Sequence, residues 1–150
     1  VKILFTSSSG GHLEELLQLN SIIIDNESYI LTEKNKKNLS KFKKVFLLNQ
    51  INRKEKSFFM HFLKLFFISS KIYRRIKPDT IISTGALVTV PICIIGKLHH
   101  KKIIYIESFA RINTPSLTGK IMYKFADEFI VQWEDMLKYF PKAHYWGGIF

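Results

Sequence analysis

Short runs of apolar residues alternate along the chain with longer segments in which apolar residues recur every three or four positions. The short runs fall at 2–6, 28–32, 44–48, 79–84, 102–107 and 128–132, and they predict six strands. The helical patterns fall at 11–25, at 57–76, within 89–99 and within 116–126. A lysine-rich helix or turn is expected after the second strand, and a final short helix from Glu134. Strand and helix in turn predict right-handed crossovers and a mostly parallel sheet. Runs such as Ile3-Leu4-Phe5 and Ile103-Ile104-Tyr105-Ile106 are apolar at every position, the pattern of strands covered on both faces. The expected fold is α/β and Rossmann-like: one domain over 1–150, with about six strands and helices on both faces of the sheet. The pattern shows no repeat, low-complexity segment or linker, and the only long loop is expected at 49–56.

In folds of this kind, ligands bind at the carboxyl ends of the strands. Three polar segments fall at those ends: Ser7-Ser8-Ser9-Gly10-Gly11-His12, Ser83-Thr84-Gly85 and Glu107-Ser108-Phe109-Ala110-Arg111. The first combines small residues, two glycines and a helix start. There the backbone can approach a ligand closely, and unpaired N–H groups attract an anion. A phosphate or diphosphate suits it, and so does an ordinary strand-to-helix turn with Ser9 as N-cap. The run is neither a full dinucleotide fingerprint nor a P-loop. Glu14 and Glu15 favour the helix start but oppose a bound anion. His12 is placed either to contact a phosphate and act as a general base, or simply to sit exposed at the helix start. Ser83, Thr84 and Gly85 offer hydroxyls and N–H groups to the same anion, or only end a strand. Glu107 closes an apolar strand and needs solvent or a partner. Arg111 is one candidate, while a sugar hydroxyl or His12 are others.

The net charge of +11 is concentrated in one stretch: residues 41–77 hold eleven basic residues and a single acid, Glu55. Phosphates, anionic lipid surfaces and nucleic acid all respond to such a field. Inside that stretch, residues 57–76 read SFFMHFLKLFFISSKIYRRI. Phe58, Phe62, Leu65, Phe66, Ile72, Tyr73 and Ile76 form a core-facing stripe, and Phe59, Leu63 and Phe67 widen it beyond what one core face needs. The extra aromatics, with Lys64, Lys71, Arg74 and Arg75, are expected to rest on an anionic bilayer surface. No recognised nucleic-acid module is present, so nucleic acid is not an expected partner. The apolar stretch 58–68 is broken by His61 and Lys64 and falls well short of the roughly 20 residues that span a bilayer. No signal peptide is expected either, since the first apolar run gives way at once to Ser and Gly. Cys93 lies in an apolar run and is expected to be a buried thiol; His99-His100 reads as a solvated helix end, and no metal site is expected.

Read in order, Ser8–His12, Ser83–Gly85, Tyr105–Arg111, Ser-Leu-Thr-Gly at 116–119, Ala-Asp at 126–127 and Val-Gln-Trp at 131–133 resemble one known family. Pro141, Tyr145 and Gly147 extend the match to the C-terminus. The family is the acceptor-side, membrane-anchoring subunit of the two-chain UDP-N-acetylglucosamine transferase of lipid-linked oligosaccharide synthesis, with bacterial relatives in capsule and exopolysaccharide assembly. The resemblance implies the N-terminal half of a GT-B glycosyltransferase, as in the peptidoglycan lipid-intermediate transferase. It implies a lipid-diphosphate-linked sugar acceptor, a separate donor-binding subunit as partner, and no cofactor on this chain, the UDP-sugar being held by the partner. Gly10, Gly11 and His12 match the loop near the acceptor diphosphate, and Glu107, Ser108 and Arg111 match the segment facing the interdomain cleft. The eukaryotic members carry a membrane-spanning anchor ahead of strand one. This sequence starts at strand one, so membrane contact is expected to fall to 57–76.

The resulting expectation is a peripheral subunit on the cytoplasmic face of the membrane. His12 is its first candidate base and Glu107 its second, unless the partner supplies the base. Ser8, Ser9, Gly10, Gly11, His12, Ser83, Thr84, Gly85, Ser108 and Arg111 are the expected acceptor and phosphate contacts. Two rivals stand beside it. One is a self-sufficient nucleotide-binding enzyme such as a dehydrogenase, with Glu33 as its ribose-binding acid. The other is a non-catalytic scaffold for its partner.

Overall fold

A computed structural model describes residues 1–50 and 57–149. Its strands are β1 (Lys2–Ser7), β2 (Glu27–Glu33), β3 (Lys44–Leu48), β4 (Thr80–Ser83), β5 (Lys102–Ile106), β6 (Glu128–Val131) and β7 (His144–Tyr145). Its helices are α1 (Gly11–Leu17), α2 (Asn20–Asp25), α3 (Phe58–Ile76), α4 (Val90–Leu98) and α5 (Leu117–Met122). All the pairings are parallel, in the order β3-β2-β1-β4-β5-β6-β7. The order reverses between β1 and β4, so the chain leaves these two neighbouring strands in opposite directions and opens a crevice above their carboxyl ends.

The continuous apolar strands are explained by two cores, one on each face of the sheet. Ile3, Phe5, Ile30, Ile82 and Ile106 point to the α1–α2 side and pack with Leu13, Leu16 and Ile23. Leu4, Leu31, Ile81, Ile103 and Tyr105 point the other way, toward α3 and α4, and meet Leu65, Ile72, Ile92 and Cys93. Gly96 on α4 brings that helix down onto the sheet: a Cβ there would come within 2.5 Å of the Ile81 side chain. Cys93 is buried, as expected, and its desolvation pushes the thiol well above its ordinary range, which makes it an inert packing group.

Several elements differ from the sequence reading. A seventh strand is present; β7 is two residues long and exposed, so it carries no apolar run to reveal it. The helix expected over 11–25 is two, because α1 tightens at its end, where Gln18 N donates to Glu15 O and Leu19 N to Leu16 O, and the chain restarts at Asn20. The lysine-rich stretch after β2 takes the turn of the two forms expected for it: Asn35 and Asn38 accept from the backbone N–H groups of Lys37 and Ser40. The final helix is a 3₁₀ segment, Glu134–Lys138. Of the loop expected at 49–56, residues 51–56 lie outside the described residues.

Candidate functional site

The carboxyl ends of β1 and β4 are tied together before any ligand is considered. Ser8 N donates to Gly85 O at 2.7 Å, and Thr84 N to Thr6 O at 3.3 Å. The Thr84 hydroxyl donates to His12 O at 2.7 Å. The Ser83 hydroxyl donates to Thr89 Oγ1 and accepts from Gly85 N. Ser83 and Thr84 are both buried, so their hydroxyls build the site instead of lining it, contrary to the expectation that they contact a phosphate.

His12 receives its orientation from the same strand end. Its Nδ1 lies 2.7 Å from Thr84 O. A carbonyl oxygen only accepts, so Nδ1 carries the hydrogen and Nε2 of the neutral ring keeps its lone pair. Gly85, at φ +99°, lets the ring lie against its backbone; a Cβ there would stand 3.2 Å from Cε1 and Nδ1 of His12.

The glycine turn itself is open. Gly10 caps α1 at φ 76°, ψ −138°, a conformation of glycine, and a Cβ on Gly10 or Gly11 would meet no protein atom within 4 Å. Ser9 behaves otherwise. It is not the N-cap: its N–H and hydroxyl both turn to Glu33 Oε1, at 2.9 and 3.3 Å, and its hydroxyl accepts from Gln50 Nε2. An internal carboxylate therefore occupies the position a phosphate would take at Ser9.

Glu107 also differs from expectation. Its carboxylate is 1 % exposed and accepts from Tyr105 OH (3.1 Å), Ser108 N (3.2 Å), Ser116 N (3.0 Å) and Ser116 Oγ (2.7 Å). Ser116 in turn caps α5 by accepting from Gly119 N. Glu107 thus pins the start of α5 to the end of β5. It reaches neither Arg111, its suggested partner, nor the solvent. Burial and the neighbouring Glu107 hold the Tyr105 hydroxyl protonated far above its usual range, which suits its role as donor.

Next to it stands a second buried acid. Glu15 accepts from Ser108 Oγ and Phe109 N, both at 3.0 Å, and from Gln132 Nε2 at 3.2 Å. Burial raises its pKa against the lowering effect of these bonds and of His12. Glu15 thereby binds α1 to the loop that carries Ser108 and Arg111. Glu14 faces outward and pairs with Lys37.

Above this framework lies a cleft of about 530 Å³. On its polar side are Ser8, His12, Glu33, Ser108, Arg111 and Ser116; Phe58, Phe62 and Leu65 of α3 stand on its apolar side, with Leu87 and Leu117. The expected residues Ser8, His12, Ser108 and Arg111 are brought together here. Glu33, which the sequence offers only as the ribose-binding acid of a dehydrogenase, joins them because it ends β2 on the same sheet edge.

The outer face of α3 is exposed and apolar. Phe59 is 68 % and Phe67 74 % accessible, with Met60 and Leu63 beside them. Lys64 and Lys71 are exposed, and Lys71 and Arg74 border a groove with Phe66 and Phe67. Arg75 sits apart, its guanidinium over the Phe46 ring at 5.8 Å, where it covers the edge of the sheet. No helix among the described residues is long and apolar enough to cross a membrane, and no group of metal-ligating side chains is found among them. His99 caps α4, its Nδ1 2.8 Å from Ile95 O and its ring against Tyr73.

Comparison with known proteins places this architecture. The fold matches Acinetobacter baumannii MurG with a TM-score of 0.69 at 13 % identity, over 90 % of this chain and 43 % of that one. UDP-N-acetylglucosamine 2-epimerase from Rickettsia bellii matches at 0.75 and 13 % identity, over 99 % and 45 %. The chain thus spans less than half the length of these solved structures, and at such identities they establish the fold alone. Sequence relatives are nearer. The rat UDP-N-acetylglucosamine transferase subunit ALG14 is 31 % identical over 98 % of this chain and 82 % of its own length. The Saccharomyces cerevisiae subunit of the same name is 53 % identical over a shorter stretch, 36 % of this chain and 22 % of its own. The family described as oligosaccharide biosynthesis protein Alg14 like matches residues 3–149, and the chain belongs to it.

Proposed function

We propose that this chain is the acceptor-binding subunit of a two-chain UDP-N-acetylglucosamine transferase. It holds a lipid-diphosphate-linked sugar in the cleft and brings a donor-binding subunit to the membrane surface. The observation that carries this reading is the make-up of the cleft. A base-competent imidazole and a guanidinium stand against an aromatic wall, and the outer side of that same helix bears exposed phenylalanines and lysines. An amphiphile with an anionic head fits such a site better than a soluble nucleotide does. The transferase names of the relatives support the reaction class, and their designation as subunits supports the partner. The setting follows the sequence's resemblance to bacterial relatives: capsule or exopolysaccharide assembly on the cytoplasmic face of the membrane.

In this reading the acceptor sugar hydroxyl attacks the anomeric carbon of the UDP-sugar. A new C–O bond forms, the bond to the UDP oxygen breaks, and UDP leaves with the electron pair. The hydroxyl proton passes to Nε2 of His12. Thr84 O, holding Nδ1–H, keeps the ring turned and supports the imidazolium that results. Arg111 lines the cleft and is placed for the diphosphate; the Gly10–Gly11 turn, which does not itself line the cleft, is added by the family resemblance and by its open surroundings.

Substituting Gly11 tests the placement. A side chain at Gly11 meets no protein atom within 4 Å, so Gly11→Val folds normally and instead obstructs the ligand. The expected result is loss of transfer with an unchanged unfolding midpoint. An unaltered acceptor KM and turnover would place the diphosphate elsewhere.

Membrane contact is tested with vesicles. Each cation near an anionic surface contributes about 1 kcal/mol, and Arg75 is turned to Phe46, so changing Lys64, Lys71, Arg74 and Arg75 to Gln removes about 3 kcal/mol and should weaken binding to anionic vesicles by roughly 100-fold. Binding of the parent falls but persists in high salt. Phe59→Ser with Phe67→Ser removes that persistent part, with little loss of stability, because both rings are exposed. Equal binding of the quadruple variant and the parent would instead mark the basic stripe as a docking face for the partner subunit.

A further inference from the structure

The cleft contains one acid whose role the catalytic reading leaves unassigned. Glu33 ends β2, is 8 % exposed and lines the cleft. Its Oε1 is fixed by Ser9 N and Ser9 Oγ, and Ser9 is itself fixed by Gln50. Among the described residues Oε2 receives no hydrogen bond, and no cation pairs with the carboxylate. The result is a rigidly held carboxylate with one oxygen still able to accept, at the border of a ligand cavity.

We propose that Glu33 makes this end of the cleft a sugar subsite, its carboxylate accepting a hydroxyl of the acceptor sugar while excluding the diphosphate. The proposal rests on the acceptor-binding reading and specifies which part of the acceptor lies where. Two physical arguments support it. First, a carboxylate engaged with Ser9 repels a second anion and already holds the donors that anion would need, so the diphosphate is left to Arg111 and the Gly10–Gly11 turn, and Nε2 of His12 is left for the sugar hydroxyl. Second, a hydroxyl donating to a carboxylate makes a short, charge-assisted bond, and a buried acceptor left unmet penalises any ligand without that hydroxyl. The neighbours suit a polyhydroxyl ligand as well: Ser8, Ser116 and Thr118 line the same cleft with neutral hydroxyl-bearing side chains, and Phe58 and Phe62 offer ring faces to the apolar face of a sugar.

The test compares two soluble probes on the full chain by calorimetry: farnesyl diphosphate, and farnesyl diphosphate carrying N-acetylglucosamine on its terminal phosphate. The parent should bind the sugar-bearing probe about tenfold more tightly, the scale of one hydrogen bond to a charged group. Glu33→Gln keeps an oxygen for Ser9 N but loses the charge; it should remove that margin and leave the affinity for farnesyl diphosphate unchanged or higher. Glu33→Asp retains the charge but withdraws the carboxylate by one methylene, and it should also lose the margin, so the proposal remains testable if the Gln variant folds poorly. A margin kept by both variants would overturn the sugar subsite while leaving the acceptor reading standing. Binding of neither probe by the parent would overturn both.

Discussion

His12→Gln lowers kcat for sugar transfer by about 10²–10⁴-fold, the range for loss of a positioned general base, with little change in acceptor KM. Glutamine at this position can still donate an N–H to Thr84 O, as Nδ1 does at 2.7 Å in the parent. The strand ends therefore stay joined, and what disappears is the lone pair on Nε2. Gly85→Ala reaches the same residue from the other side. Its Cβ would press on the imidazole at 3.2 Å and its φ of +99° disfavours any side chain, so the ring is displaced without being removed. Both variants are assayed for transfer in the presence of the donor-binding subunit. Full activity of His12→Gln would assign the base to the partner and favour the view of this chain as a scaffold.

The second large effect concerns stability. Glu107→Ala removes the acceptor for the Tyr105 hydroxyl, two backbone N–H groups and the Ser116 hydroxyl, in a site that is 1 % exposed. Each buried donor left unmet costs about 1–3 kcal/mol, so the four together cost at least about 4 kcal/mol, a large part of the roughly 5–15 kcal/mol that holds a domain folded. A urea unfolding curve reads this directly. Gly119→Val should act in the same place, because a Cβ on Gly119 would run into the Glu107 carboxylate. The milder Glu107→Gln, which still accepts on one oxygen, should keep most of its kcat at a temperature where it is folded. A normal unfolding midpoint with a collapse of kcat in Glu107→Ala would return Glu107 to the list of candidate bases.

The contrast between His12 and Glu107 shows what the chain discloses when read as a string. The strands are legible because both faces of the sheet are covered and their central positions form continuous apolar runs such as Ile3-Leu4-Phe5 and Ile103-Ile104-Tyr105-Ile106. Only β7 escaped notice, being two exposed residues at the sheet edge. Knowing which loops share an edge was enough to gather Ser8, His12, Ser108 and Arg111 in one place. The direction in which each side chain turns was not legible, since it depends on partners far along the chain. Glu107 turns inward because Ser116, nine positions on, offers it two donors. Glu33 turns to the cleft because Ser9, twenty-four positions back, holds one of its oxygens. Glu15 reads in the sequence as a first-turn acid that favours the helix, and in the structure it is the acceptor that ties α1 to Ser108, Phe109 and Gln132, which lie 93 to 117 positions away. On α3 the excess of aromatics was visible in the sequence, and the structure exposes Phe59 and Phe67 as that excess required. Arg75 was grouped with the membrane-facing cations by helical spacing, yet the Phe46 ring on β3 gives it a different neighbour.

Co-purification from the source cell identifies the donor-binding subunit, and reconstitution with it tests the central claim most directly. Each subunit is assayed alone and then together, with a UDP-sugar and a lipid-diphosphate-linked acceptor in anionic vesicles. The account predicts no transfer by this chain alone, none by the partner alone, and turnover when the two are mixed, abolished by Gly11→Val. Turnover by either chain alone at the rate of the mixture would contradict it.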